Sequence, residues 1–532
     1  MNASYAEKYG VSAYYVQDMW RVSRRLTLTL GLRYENTFPT RERYNRAVRE
    51  FDFNATSPIA ATVKANYAAN SVPQIPPASF NVLGGLTYLG TGGQPNSMWS
   101  AGNLDFAPRI GGAYQIGDRT VLRAGVGLFY NTVYRSIAQV IQNGYSSTTS
   151  LVPTLDNGVH FVATLANPFP SGLIAPTGSS LGLMTSAGQA VTFTNPNWQD
   201  TRSLIWQVDL QHRFGQQTLV EISYVGNAGY DLAATRNYNV IPNRYLSTLP
   251  VRDQAVINTL TAAVPNPFSP LLPGTSLSGT TVPLTQLLFP YPEFTTITGT
   301  TNQGSSNYQS MQTRFEKRLS KGYVFTAGWT WSKYLAANSF LNGADSTPSK
   351  AISNFDRTHR LVATGLWDLP FGAGKRWGAS AHGWIGKAIS GWALQGIYQA
   401  QSGAPLGFGN AILNGPISSV VLPSDQRSIE KWFNTSAFVT ASGAQLADNL
   451  IALSPRFGGV RAAGLNQFDL STSKRTYFTE HTYAQFRCEF LNAFSHPEFG
   501  APNTTVTSTA FGTVTSLTQP PRTIEFGMRL VF

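Results

Sequence analysis

A chain in which every second residue is apolar over about ten positions can satisfy that pattern only as a strand, because successive side chains of an extended backbone point to opposite faces. Segments of this kind run the length of the sequence. In Leu26 to Glu35, residues Leu26, Leu28, Leu30, Leu32 and Tyr34 share one face and Thr27, Thr29, Gly31, Arg33 and Glu35 the other. Val121 to Tyr130 sets Leu122, Ala124, Val126, Leu128 and Tyr130 against Arg123, Gly125 and Gly127. Leu204 to Phe214 and Gly391 to Gln401 repeat the rule, and the last ten residues place Ile524, Phe526, Met528, Leu530 and Phe532 opposite Glu525, Gly527 and Arg529. Weaker copies lie at Ser12 to Trp20, Phe106 to Ile116, Thr218 to Gly226, Asn307 to Leu319, Tyr323 to Lys333, His359 to Leu369, Gln467 to Thr476 and Thr482 to Phe494. That makes roughly thirteen strands of about the length needed to cross a bilayer at a tilt.

Alternation alone also describes a half-buried soluble strand. Composition separates the two readings. Charged residues are 12% of the chain, about half the usual soluble share of ~25%, yet the mean hydropathy is only −0.13. Few charges without high hydropathy is expected when one face of each strand meets lipid and the other carries Gly, Ser, Thr, Asn and Gln. No apolar run is long enough for a transmembrane helix. A membrane-spanning fold must therefore pair its backbone in a closed sheet: an all-β, antiparallel, up-and-down transmembrane β-barrel.

The spacing between strands predicts its orientation. Short connections (Arg21 to Arg25, Gly117 to Arg119, Gly215 to Gln217, Ser320 to Gly322) alternate with long ones (Asn36 to Asp105, Asn131 to Thr201, Asn227 to Ser306, Ser402 to Asn466). Short turns are periplasmic in such barrels and long loops extracellular. Ser12 to Trp20 then runs inward and Thr523 to Phe532 ends in the periplasm, while Pro370 to Ser390 departs by being long where a short turn is due. An odd count that starts and ends downward cannot close antiparallel on itself, so further strands are expected upstream. The start, Met1-Asn-Ala-Ser-Tyr-Ala-Glu-Lys, has no secretory signal pattern.

Several motifs together resemble one family. Tyr14-Tyr-Val-Gln-Asp-Met-Trp-Arg-Val-Ser-Arg-Arg-Leu-Thr-Leu-Thr-Leu-Gly-Leu-Arg-Tyr-Glu35 looks like a hairpin of TonB-dependent receptors, especially the Oar-like subgroup with an N-terminal carboxypeptidase-regulatory-like domain. Asn103-Leu-Asp-Phe-Ala-Pro-Arg-Ile-Gly111, Tyr224-Val-Gly-Asn227, Trp329-Thr-Trp-Ser-Lys333, Asp356-Arg-Thr-His-Arg360, Leu369-Pro-Phe-Gly372 and Phe490-Leu-Asn-Ala-Phe-Ser-His-Pro-Glu-Phe499 add to the similarity. The resemblance implies a barrel of about twenty-two strands filled by a plug, with residues 1–532 as its C-terminal portion. Signal peptide, regulatory-like domain, plug, TonB box and N-terminal strands are not found in these residues. It implies uptake of a scarce, bulky solute driven by TonB acting through those missing segments, and a fragment that does not transport alone. By the same resemblance to outer-membrane proteins, Phe526, Met528, Leu530 and the terminal Phe532 would be read by the barrel-assembly machinery.

Aromatic residues are expected at the two lipid headgroup levels: Trp20, Trp367 and Trp392 at periplasmic strand ends, Tyr130, Trp206, Trp329 and Trp331 toward the outer ends. The opposite face would line the lumen with Arg33, Glu35, Arg123, Asp209, Glu221, Arg487, Glu489, Glu525 and Arg529, expected chiefly as ion pairs and wall-to-plug contacts, with Glu489 and Arg529 able to pair. Lys317, on the apolar face near the inner end, can snorkel. A net charge of +12 suggests anionic surfaces, which outside such a membrane means lipopolysaccharide. The only dense basic cluster, Arg41, Arg43, Arg46 and Arg49, reads as a solvated loop face, and no nucleic-acid motif accompanies it. The long loops, with Asn-Pro-Phe at Asn167 and Asn266, are the expected ligand-catching elements.

No catalytic residue, metal site or cofactor is expected. The six His are scattered and the single Cys488 allows no internal disulfide or cysteine cluster; Cys488 falls on the apolar face. Gly372-Ala-Gly-Lys375 lacks the first Gly and the Ser or Thr of a P-loop and reads as a turn, and Asp356, Arg357 and His359 read as a loop-to-strand salt bridge or cap. Two other readings stay open: a structural or adhesive outer-membrane barrel, and a soluble secreted all-β binding protein.

Overall fold

A computed structural model describes residues 5–100, 105–131, 140–149, 151, 153–154, 159–170, 172–320 and 322–532. Asn103 and Leu104 of one motif, and Lys321 of one turn, fall outside them. The wall consists of β1 (Glu7–Arg21), β2 (Leu26–Glu42), β3 (Asp105–Gln115), β4 (Thr120–Asn131), β5 (Thr201–Phe214), β6 (Thr218–Asn237), β7 (Thr296–Ser320), β8 (Tyr323–Ala337), β9 (His359–Asp368), β10 (Trp392–Gln401), β11 (Leu465–Tyr477), β12 (Tyr483–Leu491) and β13 (Thr523–Val531). Successive wall strands are hydrogen-bonded to one another from β1 through β13, and each pairing is antiparallel. Every strand read from alternation is present.

Register carries one face from strand to strand. Leu32 sits opposite Pro108, Ile110 opposite Val126, Val126 opposite Trp206, Leu210 opposite Ile222, Trp329 opposite Leu361, Tyr398 opposite Phe468 and Phe486 opposite Met528. Residues directly opposite in an antiparallel pair share a face, so the apolar set forms one continuous surface. Along the strands it is left uncovered: Val208, Leu210, Ile222 and Phe526 are all exposed. Greasy residues left uncovered along a whole sheet are the signature of a wall built to face acyl chains, and they exclude a soluble sandwich, in which these positions would be interior.

The periplasmic connections are tight where the sequence predicts it. Ser23 Oγ accepts from the amides of Arg25 and Leu26 at 3.1 and 3.0 Å and turns the β1–β2 hairpin. Gly215 and Gly322 supply positive φ, 62° and 85°, for the β5–β6 and β7–β8 turns. The β9–β10 connection is longer and folds: Gly372-Ala-Gly-Lys375 makes a turn closed by the Lys375 amide on the Gly372 carbonyl at 3.0 Å, followed by a helix, α1 (Gly383–Ile389). Several strands also rise further on the extracellular side than alternation indicates, β7 spanning 25 residues.

The buried apolar core lies in the extracellular loops. The described parts of loops 43–104, 132–200 and 238–295 condense around Phe51, Tyr67, Phe193, Phe268, Leu287 and Phe294, and loops 402–464 and 492–522 around Phe408, Val420, Phe433, Phe438 and Phe511. The result is a two-lobed cap.

Candidate functional site

The inward face of the wall is polar and internally paired. Arg123 stands opposite Asp209 in the β4–β5 register, its Nη1 3.7 Å from Oδ1 and donating to Gln211 Oε1 at 2.8 Å. Glu221 is flanked by Gln211 on one side and Arg314 on the other, and Arg314 pairs with Glu316 at 2.9 Å. Arg33 pairs with Glu35 along one strand, and Arg487 with Glu489 at 3.1 Å along another. These i, i+2 pairs follow from geometry, since residues two apart on a strand share a face. With one partner of each pair largely exposed, a pair contributes only about 0.2–1 kcal/mol.

Register corrects one expectation. Glu489 does not meet Arg529; it lies opposite Glu525, while Arg529 lies opposite Gln485. The two carboxylates face each other, and Arg487 on the same strand supplies the compensating charge. Sequence reasoning passed over Arg109, Arg314, Glu316, Arg360 and Asp469, which share this inward face. Their signal was available in strands already recognised, as polar residues at alternate positions. Two recesses open on the inward face. One of about 530 Å³ is bordered by Glu221, Ser223, Gln312, Arg314, Thr330 and Arg360, the other of about 400 Å³ by Thr326, Thr364, Gln395, Asp469, Ser471 and Glu489.

The seven aromatic residues singled out for the membrane boundary all register on the outward face. Trp20 opposes Leu28, Tyr130 opposes Arg202, Trp331 opposes Met311, Trp367 opposes Leu394 and Trp392 opposes Lys474. Trp206 lies over Gly226, where a Cβ would come within 2.2 Å of the ring, so only glycine fits beneath it. Trp20, Trp367 and Trp392 stand at periplasmic strand ends. Trp329 and Trp331 are mid-strand, because β8 continues to Ala337. Lys317 is on the outward face with its Nζ 3.5 Å from Thr218 Oγ1, and Cys488 is on the same face, buried between Thr472 and Phe526.

The cap is more extensively packed than a set of glycine- and serine-rich loops suggests. In its first lobe a hairpin of Val48–Thr56 with Leu83–Tyr88 packs with two helices, α2 (Ala60–Ala69) and α3 (Gln254–Thr261), the second capped by Asp253 accepting from the Val256 amide at 3.2 Å. Asn266 of the second Asn-Pro-Phe is buried: its Nδ2 donates to Leu277 and Gly279 carbonyls, and its Oδ1 accepts from the Phe268 amide. That motif builds core, so it is not a ligand-catching tip. Arg49 likewise departs from the solvated face expected of it. It is buried with Nη1 on the Met98 carbonyl, while Arg43 and Arg46 flank the Tyr44 ring.

The lobes are stapled together. Asn449 Nδ2 donates to the Leu249 and Val251 carbonyls at 3.0 Å each, and Asn342 Oδ1 accepts from the Ile451 amide at 2.7 Å. Asp356, fully buried, accepts from the Tyr334 amide and pairs with Arg461 at 2.6 Å, tying the loop before β9 to the loop after β10. Burial also pushes the Glu293 carboxyl up to about 8, and both of its oxygens lack a partner on another residue. Among the described residues no group of three His, Cys, Asp or Glu side chains converges on a point.

A polar inward face, a lipid-ready outward face and a folded cap on one rim fit the family whose model matches residues 2–525, the outer membrane beta barrel domain. The chain belongs to that family. It is a barrel of the bacterial outer membrane, and its apolar face is the lipid face. No curated protein matches it. Solved structures similar to it include the ferripyoverdine receptor of the Pseudomonas aeruginosa outer membrane (10% identity, TM-score 0.41, 99% of this chain and 39% of that one) and the outer membrane transporter YddB of Escherichia coli (10%, 0.42, 99% and 55%). The FrpB iron transporter of Neisseria meningitidis is a third (9%, 0.40, 99% and 45%). The barrel thus spans about half or less of the length of these proteins.

Proposed function

We propose that this barrel is the C-terminal wall and cap of a TonB-dependent receptor of the Oar-like kind, taking up a bulky solute caught by its outer loops. The observation that carries the reading is the pairing of a polar inward wall with a cap folded from five of the long loops; a barrel serving only as scaffold has no use for a structured surface of that size over its mouth. The motif resemblance supports the same reading. In it Arg33, Glu35, Arg123, Asp209, Glu221, Arg487, Glu489, Glu525 and Arg529 are wall braces and contacts for a plug, and no residue is assigned a catalytic role. Phe526, Met528, Leu530 and Phe532 serve assembly, the seven boundary aromatics anchor the wall, and lipopolysaccharide is the outer neighbour.

Deleting the gene in its host tests the function, with growth scored under iron, copper and complex-carbon limitation beside a TonB-deficient strain. The expected result is that the deletion reproduces one of the defects of the TonB-deficient strain and adds nothing to it in the double mutant. Growth equal to the parent under every limitation would reject transport and favour a structural or adhesive barrel.

A further inference from the structure

The periplasmic connection of residues 369–391 carries rings and charges that a turn does not need. Its helix α1 is fastened to the outward side of the wall. Lys474 and Trp392 are cross-strand partners on the lipid face. Lys474 Nζ donates to the Lys387 and Ser390 carbonyls at 2.7 and 2.9 Å, and Trp392 Nε1 donates to the Ala388 carbonyl at 2.9 Å. The C-terminal end of α1 is therefore held at the periplasmic rim, against lipid and away from the lumen.

That placement explains an otherwise costly surface. Trp384 is 80% exposed and Ile385 50%, with Trp377 and Trp367 exposed nearby. Apolar rings left in water over such a stretch are unfavourable, whereas at the headgroup level Trp and Ile on a short helix beside Lys and Arg are the pattern of an interfacial anchor.

The charges point to what lies there. Residues 369–391 hold Lys375, Arg376, His382 and Lys387 and no Asp or Glu, and among the described residues Lys375, Arg376 and Lys387 form no ion pair. A recess of about 600 Å³ is bordered by Tyr323, Trp367, Asp368, Lys375, Arg376 and Trp377, with the Arg376 guanidinium 5.5 Å from the Trp377 ring centre. Asp368 is the single carboxylate against two cations. The site has a net positive charge, a fork suited to phosphate oxygens and aromatic walls for the glycerol backbone and first methylenes.

We propose that residues 369–391 form an interfacial collar that binds an anionic phospholipid of the periplasmic leaflet, its phosphodiester held by Lys375 and Arg376 while Trp384 and Ile385 enter the acyl boundary. The proposal rests on the outer-membrane placement of the barrel and is independent of what the barrel transports.

Native mass spectrometry of the full chain in detergent micelles tests it, with phosphatidylglycerol or phosphatidylcholine added at equal amounts. Wild type should retain phosphatidylglycerol in preference to phosphatidylcholine. The double variant Lys375→Gln with Arg376→Gln should retain it at least roughly tenfold less, as expected for the loss of two juxtamembrane cations. Excess glycerol 3-phosphate should fail to displace the lipid. Equal retention of the two lipids by wild type would overturn the proposal without reference to any variant. So would unchanged retention by the double variant, or displacement by glycerol 3-phosphate, which would make the site one for soluble phosphates.

Discussion

Glu293 offers a quantitative test of how tightly the cap is built. The residue is 1% exposed and neither carboxyl oxygen has a hydrogen-bond partner on another residue, so burial, opposed only by the residue's own backbone amide, disfavours the charged form and the carboxyl titrates at about 8 against an ordinary 4.5. The folded cap then holds a proton that the opened cap releases. By linkage, stability is greatest below about 4.5, falls as pH rises because the open state binds fewer protons, and stops falling above about 8. Between those limits the slope is about 1.4 kcal/mol per pH unit, which amounts to about 3 kcal/mol at pH 7. Glu293→Gln keeps the shape and removes the titration. Hydrogen exchange reads the effect locally, through the Gly188 amide that donates to the Glu293 carbonyl at 2.7 Å and the Thr295 amide on Gln189 at 3.1 Å. After correction for intrinsic rates, the wild-type opening free energy of these amides should fall steadily from pH 5 to 8, the variant's should stay level, and the two should converge near pH 4.5. Parallel slopes would refute the reasoning, because they would mean that the Glu293 carboxyl is charged in the closed cap.

Replacing Asp356 by Ala should cost about 1.5–3 kcal/mol, since it removes the charged partner of Arg461, which keeps the Gly403 and Gly458 carbonyls, and leaves the Tyr334 amide without its acceptor, and limited proteolysis of the 402–464 loop should accelerate; an unchanged cleavage rate would count against the staple. Gly226→Ala should lower the yield of heat-modifiable folded barrel, and pairing it with Trp206→Ala should restore it, because the obstruction is the indole lying over Gly226. Removing Phe532 should slow assembly in cells while leaving the refolded barrel's melting temperature unchanged; a drop in both would make Phe532 a structural residue and not an assembly signal.

The wall was legible because its code is local. A lipid-facing strand writes its two faces in every second residue, so Leu26 to Glu35 or Val121 to Tyr130 announces its structure without reference to distant sequence. Register was not legible, because a period-two pattern is unchanged by a two-residue slip; hence Glu489 faces Glu525 where Arg529 was the attractive partner. The cap was illegible for a different reason. Its core joins Phe51, Phe193, Phe268 and Phe294 from three loops with no shared periodicity, and Arg49 or Asn266 in such a loop looks solvated until Met98 or Leu277 is brought against it from afar. Strand ends were undershot where the wall leaves the membrane, since there the outward face no longer needs to be apolar and alternation fades.

The excess of positive charge is sorted by compartment, and that sorting is a stronger statement than the net value of +12. On the inward face cations meet carboxylates across or along strands, as Arg123 meets Asp209 and Arg314 meets Glu316. In the cap Arg49 is buried against a carbonyl and Arg461, partly buried, against a carboxylate. At the periplasmic rim the pattern changes: Arg318 still pairs with Glu316 at 3.3 Å, but Arg24 and Arg25, Arg119, Arg213, Lys375 with Arg376, and Lys474 with Arg475 lie in or beside the successive connections without an ion pair among the described residues, against a few acids such as Asp118, Asp368 and Glu480. Paired charges brace a structure whatever surrounds it, whereas a ring of unpaired cations at one membrane surface repels itself and is tolerable only if that surface is anionic. The rim therefore carries information about the leaflet it touches, and residues 369–391 are where that ring becomes a site.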